Sequence, residues 1–516
     1  MPVLPTSTSQ IYMMGMLIAE FISGALTAIS SPSSAPAFKK PRYLTSLSGQ
    51  SFRDLALHET YAVAVTPNGD LLQWGLGYSR KPSQPSPTLK GQDIVQVALT
   101  PSKIYARTKG GKVLILPVSQ ADQTDTSAGK VLPTVSWFWK AFGYRDPGVH
   151  FVTMSAANPD RVKMKISHIS AGRSHLLAMA EDGRACCAAV DGNANEMGQL
   201  GGGQKLLDAI SSKAGNGGDP IVLEKAIEFD TTLKEIPALR NLKVDQLVSG
   251  DRHSLALTTE GRVLGWGNNS LGQLALGTSY AFPAIPAPTE CALTASYSKS
   301  SRIRCQSIYA GGDTSYFLVT REDLRTPDAS LTPSGDRRVY QDVLAAGSGI
   351  YGGIGNGQYF STGIPLKVKT VSGLQEWNEG TQSVEAIPVH DISVNSTHAA
   401  VVLSNALHDP HSKQSFGNDV FVFGHNADYQ LGTGKRSNLA IPQHIPPLPY
   451  PLTAAMKEKL NAKATGGGAK AEESLGSGTV SHMPHNRLQL APRKNNVEER
   501  IVCGYGTTAV YWRVDK

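Results

Sequence analysis

Residues 249–278 read SGDRHSLALTTEGRVLGWGNNSLGQLALGT. Gly250 precedes His253 by three, an apolar run Leu255 to Leu257 follows, Gly261 supplies a turn, and Val263 to Trp266 make a second apolar run before Gly267-Asn268. This is the pattern of a β-hairpin that feeds a glycine-rich turn. Copies recur along the chain. The histidine slot is filled in order by Tyr61, Lys103, His175, His253, Thr314, His398 and Thr507. Trp74-Gly75 and Phe423-Gly424 repeat the Trp266-Gly267 step, whereas Ala188 stands in for the tryptophan of the third copy. Self-similarity on this length scale marks propellers and solenoids.

The chain has 516 residues with 51 glycines and 31 prolines, and 18% of it is charged, which suits many short strands joined by tight turns. The net charge of +7 comes from 49 basic and 42 acidic residues without long basic runs, so it does not point to a nucleic-acid partner.

The template resembles the regulator of chromosome condensation repeat, roughly G-x-x-H-x-x-A-L, D-G-x-V-x-x-W-G-x-N and G-Q-L-G. Here it is carried by Gly250, His253, Ala256, Leu257, Gly261, Val263, Trp266, Gly267, Asn268, Gly272, Gln273 and Leu274, with Ala275 in place of the last glycine. The resemblance implies an all-β, seven-bladed β-propeller over residues 39–516, its closing blade composite from both chain ends. Inserts are expected outside the blades at 119–165, 204–240, 321–338 and 453–496.

Residues 1–38 form an apolar N-terminal extension. Ile11 to Ile29 is an apolar run broken by Glu20 and lacks the basic flank of a targeting signal. It reads as an anchor or as an extension outside the fold. Gly15 and Gly24 do not match the repeat, so the closing blade is expected to be incomplete, with part of Ile11 to Ile29 either covering the gap or left as an unpacked helix.

Several residues look chemical. Gly347, Gly349 and Gly352 match a dinucleotide fingerprint but lack the βαβ context it requires; aligned to the repeat, they are the glycine after the tryptophan, a replacement for the asparagine, and the glycine before the glutamine. His175, His253 and His398 recur because they share a repeat slot, each on its own blade, which favours structural hydrogen bonding over a metal site. Cys186, Cys187, Cys291, Cys305 and Cys503 show no C-x-x-C pair and read as reduced core residues, with a Cys291 to Cys305 bridge left open. Asn268 and Asn395 begin formal glycosylation acceptors inside the repeat. No catalytic set, cofactor site or metal site is expected. Trp137, Phe138, Trp139 and Phe142, within SWFWKAFGYRDPGVHFV, are candidate partner-binding residues, or they cover a blade edge.

That segment, AAGSGIYGGIGNG and the ending IVCGYGTTAVYWRV together resemble a fungal mitochondrial branch of the family. Its members are associated with the inner membrane and with assembly of respiratory complex III. The resemblance implies a non-enzymatic mitochondrial scaffold for complex III subunits or assembly factors, associated with the inner membrane. The alternative is a guanine-nucleotide exchange factor or regulator of a small GTPase.

Overall fold

The computed structural model describes residues 11–16, 37–47, 49–80, 84–124, 149–156, 164–202, 230–277, 282–323, 339–378, 381–409, 414–448 and 487–515. Seven sheets, antiparallel but for one short parallel pair in the third, follow one another as blades. The fourth, built from the template, holds Val244–Ser249, His253–Thr258, Val263–Asn268 and Ala284–Glu290 in that order from the axis outward. Its middle strands are buried along their whole length. Packing explains this: each blade is sandwiched between two others, so its strands read as continuous apolar runs and not as alternation. Seven apolar clusters lie at the seven blade junctions.

Every residue of the histidine slot opens, or in the case of Tyr61 immediately precedes, the second strand of its blade. In three blades a glycine with positive φ stands opposite it on the third strand: Gly267 faces His253, Gly347 faces Thr314 and Gly424 faces His398, at 101°, 109° and 105°, whereas His175 faces Ala189 and Lys103 faces Pro117. One step inward on that strand sits the tryptophan slot. Trp266 and Phe423 each press on the last glycine of the preceding blade's loop, where an added Cβ would lie 2.9 Å from the ring of its neighbour at Gly201 and Gly355 alike. The fifth blade reverses both members. Ala346 fills its tryptophan slot, and the preceding loop carries Ala275 where the others have glycine. Both alanines lie in one apolar cluster. The smaller side chain leaves room for the extra methyl, although Ala275 must hold φ at 53° to keep the loop's course.

The closing blade is complete, which corrects the expectation of an incomplete one. Val497–Cys503 and Thr507–Val514 from the C-terminal end pair with Tyr12–Met16, and Ala37–Tyr43 lies outside them. Thr507 faces Gly15 and Thr508 faces Met14, so Gly15 holds the glycine slot and Met14 the tryptophan slot. Met14 is fully buried against the bare Cα of Gly432, as Trp266 is against Gly201. Part of the 1–38 extension is therefore propeller, and its residues 11–16 are neither anchor nor unpacked helix. The apolar character of residues 11–14 is that of a strand buried on both faces. No described helix is long and apolar enough to cross a membrane.

All four insert boundaries also move. Val152–Thr153 pairs with Val113–Pro117 as the outer strand of the second blade, and Thr232–Glu235 is the fourth strand of the third with Ser155–Ala156 outside it, so 119–165 contributes two strands and 204–240 one. Arg321 and Glu322 continue the second strand of the fifth blade against Tyr340 and Val339, so 321–338 begins inside a ladder. Gln489–Leu490 pairs with Asn418–Asp419, and Leu488 and Leu490 are buried between the sixth and closing blades. The stretch 453–496 thus returns to the core before it ends. Two-residue strands of this kind have too few side chains to show a period.

Candidate functional site

The slot residues lie at the end of the ring where the first strand of each blade turns into the second. His175, His253 and His398 are buried, and each reaches a hydroxyl on the next blade: Nε2 lies 2.9 Å from Ser254 Oγ, 2.8 Å from Ser315 Oγ and 2.7 Å from Thr508 Oγ1 respectively. Those hydroxyls in turn donate to the carbonyls of Gln199, Gln273 and Gln430, the glutamines of the preceding loops. With the hydroxyl hydrogen so used, the histidine must be the donor, which places its proton on Nε2. Nδ1 of His175 and of His253 has no partner. A second proton there would be buried without an acceptor, and burial holds all three imidazoles far below the usual histidine range, at about 3.

The G-x-x-H spacing follows from the same geometry. A Cβ on Gly172 would lie 2.3 Å from the ring of His175, and one on Gly250 2.1 Å from that of His253. At these two turns the bare Cα lets the imidazole fold back over the turn, whereas His398 has Asn395 at the same spacing. Other slot residues bridge differently: Tyr61 donates to Thr100 O at 2.6 Å, and Lys103 Nζ donates to Val190 O at 2.8 Å, each on the following blade. Thr314 instead donates to Ser348 O of its own blade.

A cavity of 540 Å³ runs along the axis, lined by the first strands of all seven blades. Each first strand is a sheet edge, with N–H and C=O groups that have no ladder partner on the axial side. Polar side chains of the preceding blade satisfy them. Gln96 accepts from Ile169 N and donates to Ile169 O; Gln246 does the same with Ile308 at 2.9 and 2.8 Å; Asp54 Oδ2 accepts from Val97 N at 2.9 Å. Gln96 and Gln246 sit at β-bulges, which aim the side chain sideways. Burial pushes the Asp54 carboxyl up, and burial with the Arg107 charge brings His168 down to about 4. Sequence reading missed this belt. Its signal was a polar residue at the third position of the first strand, at Gln96, His168, Gln246 and Asp391.

At the mouth of the channel on the slot side, turn residues His58, Glu59, Arg173, Asp251 and Tyr505 converge from four blades. Burial pushes the Asp251 carboxyl up, and the neighbouring Asp313 adds to it. Around this mouth lie the loops that join third to fourth strands. In three of them an asparagine closes the turn through its side-chain oxygen: Asn195 accepts from Leu200 N, Asn269 from Leu274 N and Asn426 from Leu431 N. The asparagine of the template is therefore Asn269, and Asn268, assigned that role from sequence, is buried beside it. Gly352 has φ of 84°, against 82° at Gly272, and the apparent dinucleotide fingerprint is a repeat loop in an antiparallel blade. All five cysteines are free and buried; Cys291 and Cys305 share a cluster without a bridge. Burial pushes the Cys186, Cys187 and Cys305 thiols up to about 12. Among the described residues no group of three or more His, Cys, Asp or Glu could hold a metal ion. Trp137, Phe138, Trp139 and Phe142 lie outside the described residues.

Residues 244–273 match the model of the regulator of chromosome condensation (RCC1) repeat. The chain is 24% identical over 422 residues to "Protein FMP25, mitochondrial" of Saccharomyces cerevisiae, a match covering 79% of this chain and 63% of that protein. It is 23% identical over 373 residues to "RCC1 domain-containing protein RUG3, mitochondrial" of Arabidopsis thaliana, covering 69% of this chain and 66% of that one. The chain thus spans less than two thirds of the length of these relatives. Among solved structures, Prp20p of Saccharomyces cerevisiae superposes with a TM-score of 0.55 at 14% identity, over 99% of this chain and 93% of that one.

Proposed function

We propose that this seven-bladed ring of regulator of chromosome condensation repeats works in the mitochondrion as a non-enzymatic scaffold at the inner membrane. There it holds subunits or assembly factors of respiratory complex III. The observation that carries this reading is the similarity to the mitochondrial protein FMP25 along most of the ring. The architecture is compatible with it: the buried histidines of the slot end are engaged in joining blades and the cysteines are buried, so what the ring offers a partner is its loops. Trp137, Phe138, Trp139 and Phe142 are proposed as one such partner-binding element, because aromatic residues close together in sequence suit protein contacts.

The test is capture of the tagged full chain from mitochondria, with complex III subunits quantified against a matrix protein of similar abundance. Enrichment of complex III subunits or their assembly factors is expected, and a native gel should show less assembled complex III when the chain is absent. The rival reading, exchange on a small GTPase, predicts instead one GTPase in the eluate that loses bound nucleotide when the chain is added. That result, with complex III at background, would overturn the proposal.

A further inference from the structure

Eleven large apolar side chains are exposed among the described residues, and five of them, Ile350, Tyr351, Tyr359, Phe360 and Ile441, stand together where the fifth blade meets the sixth. The contacts that gather them are specific. Tyr351 lies 4.4 Å from His425 ring to ring, Tyr359 donates to Asn438 O, and the bare Cα of Gly357 faces Ile441. Each of the five is about half exposed. They stand on one fifth-blade loop and the outer strand of the sixth blade and do not converge on one pocket.

Cations border this apolar set. Lys435 and Arg436 lie on the same loop of the sixth blade, and that loop leads to the outer strand of the closing blade, where Gly434 N donates to Lys39 O and the bare Cα of Gly434 faces the side chain of Lys40. Lys39 and Lys40 are exposed. Among the described residues none of Lys39, Lys40 and Lys435 forms an ion pair, and Arg436 lies over the ring of Tyr429. Within residues 348–361, 425–443 and 37–43 the only acid is Asp428. Tyr429 itself is held at φ of 62°, a conformation that costs a non-glycine residue about 1 kcal/mol, and it keeps the ring under the Arg436 guanidinium.

We infer that this surface, from the fifth-blade loop to the outer strand of the closing blade, docks the ring on a bilayer containing anionic phospholipid. Half-exposed tyrosine and phenylalanine beside lysine and arginine is the composition of an interfacial contact: the rings enter the headgroup level and the cations stay with the phosphates. A protein partner would be expected to find its apolar anchors in a pocket, and these side chains stand proud of the loops. The inference rests on the inner-membrane part of the proposed function and adds the face and the lipid chemistry.

The experiment is co-sedimentation of the purified full chain with vesicles of phosphatidylcholine alone or with about a quarter anionic phospholipid. Binding is expected to the anionic vesicles, weakly to the neutral ones, and to fall as salt rises. A basic residue near such a surface is worth about fivefold in partition, so Lys39→Glu with Lys40→Glu should lower binding by tenfold or more. Lys435→Glu and Phe360→Ser, both in loops, keep the test valid if the strand variant loses stability, and each should lower binding several-fold at unchanged melting temperature. Trp377→Ser, on a hairpin away from this surface, should leave it unchanged. No binding to anionic vesicles, or binding that survives the loop variants, overturns the inference and gives the surface to a protein partner. That outcome is separate from complex III capture, which needs no vesicle.

Discussion

The fourth blade and the closing blade have the same four-strand order, yet one is continuous from Val244 to Glu290 and carries the full repeat, and the other joins Val497–Val514 to two strands from the opposite end of the chain. In the fourth blade Trp266 and Gly267 stand opposite Ser254 and His253; in the closing blade Met14 and Gly15 stand opposite Thr508 and Thr507. What is preserved is not residue type but the fit between a bulky third-strand side chain and a bare glycine one blade earlier. The fifth blade makes the same point in reverse through Ala275 and Ala346. The ring therefore tolerates decay of the motif wherever the two sides of a junction change together.

The most severe way to break this equivalence is to remove residues 1–16. Ile11, Tyr12, Met13 and Met14 are all buried, and at about 1.5–3 kcal/mol each the loss is about 6 kcal/mol or more, before counting the ladder left open on Thr507–Val514. Calorimetry should show a large fall in melting temperature, and light scattering should show association through the exposed edge. Unchanged melting would show that the closing blade does not need this strand.

Acid should separate the histidine junctions from the closing turn, where Thr507 holds the slot. The folded imidazoles titrate at about 3 and the unfolded ones near 6.5, so below about pH 6.5 the unfolded chain binds more protons and stability falls with falling pH. Each histidine contributes a slope of about 1.4 kcal/mol per pH unit. Denaturant melts from pH 7 to 4.5 on the His253→Gln variant should show the slope reduced by about that amount; the same slope in both proteins would mean that His253 is not buried neutral.

Gly250→Ala sharpens the comparison at a single turn. Its Cβ would meet the His253 ring and, at 2.8 Å, Gly312 O of the next blade, for an expected cost of about 3 kcal/mol. Combined with His253→Ala the added cost should shrink, because the ring it collides with is gone; strict additivity of the two changes in urea melts would refute the spacing argument.

The smallest effect is at the compensated junction. Ala346→Met alone should destabilise by about 1–3 kcal/mol through overpacking against Ala275, and Ala275→Gly should recover much of it by removing the methyl and the strained φ together. Ala275→Gly alone should change stability by less than about 1 kcal/mol. If the double variant is no better than Ala346→Met, the two positions are not coupled.

Much of the fold was legible, and for a physical reason. Among the slots Tyr61, Lys103, His175, His253, Thr314, His398 and Thr507, four have a glycine three positions earlier, at Gly172, Gly250, Gly311 and Gly504, and an apolar strand follows; these constraints are local in sequence. The site was less legible. Gln96 and Gln246 act on the backbone of another blade, and Ile350, Tyr351, Tyr359, Phe360 and Ile441 come together only where a fifth-blade loop crosses onto the sixth.

By itself the sequence determined the repeat, and with it a ring of seven blades, the structural role of the three histidines and the reading of Gly347, Gly349 and Gly352 as a loop. Those conclusions need only residues close together in the chain. Tertiary structure alone decided that Tyr12–Met16 is a blade strand, that 453–496 returns to the core at Leu488, and that Ala275 answers Ala346. A strand buried on both faces carries no alternation, and a side chain of adequate volume can replace tryptophan. The partners that make such replacements possible are many residues away along the chain and adjacent only in the closed ring.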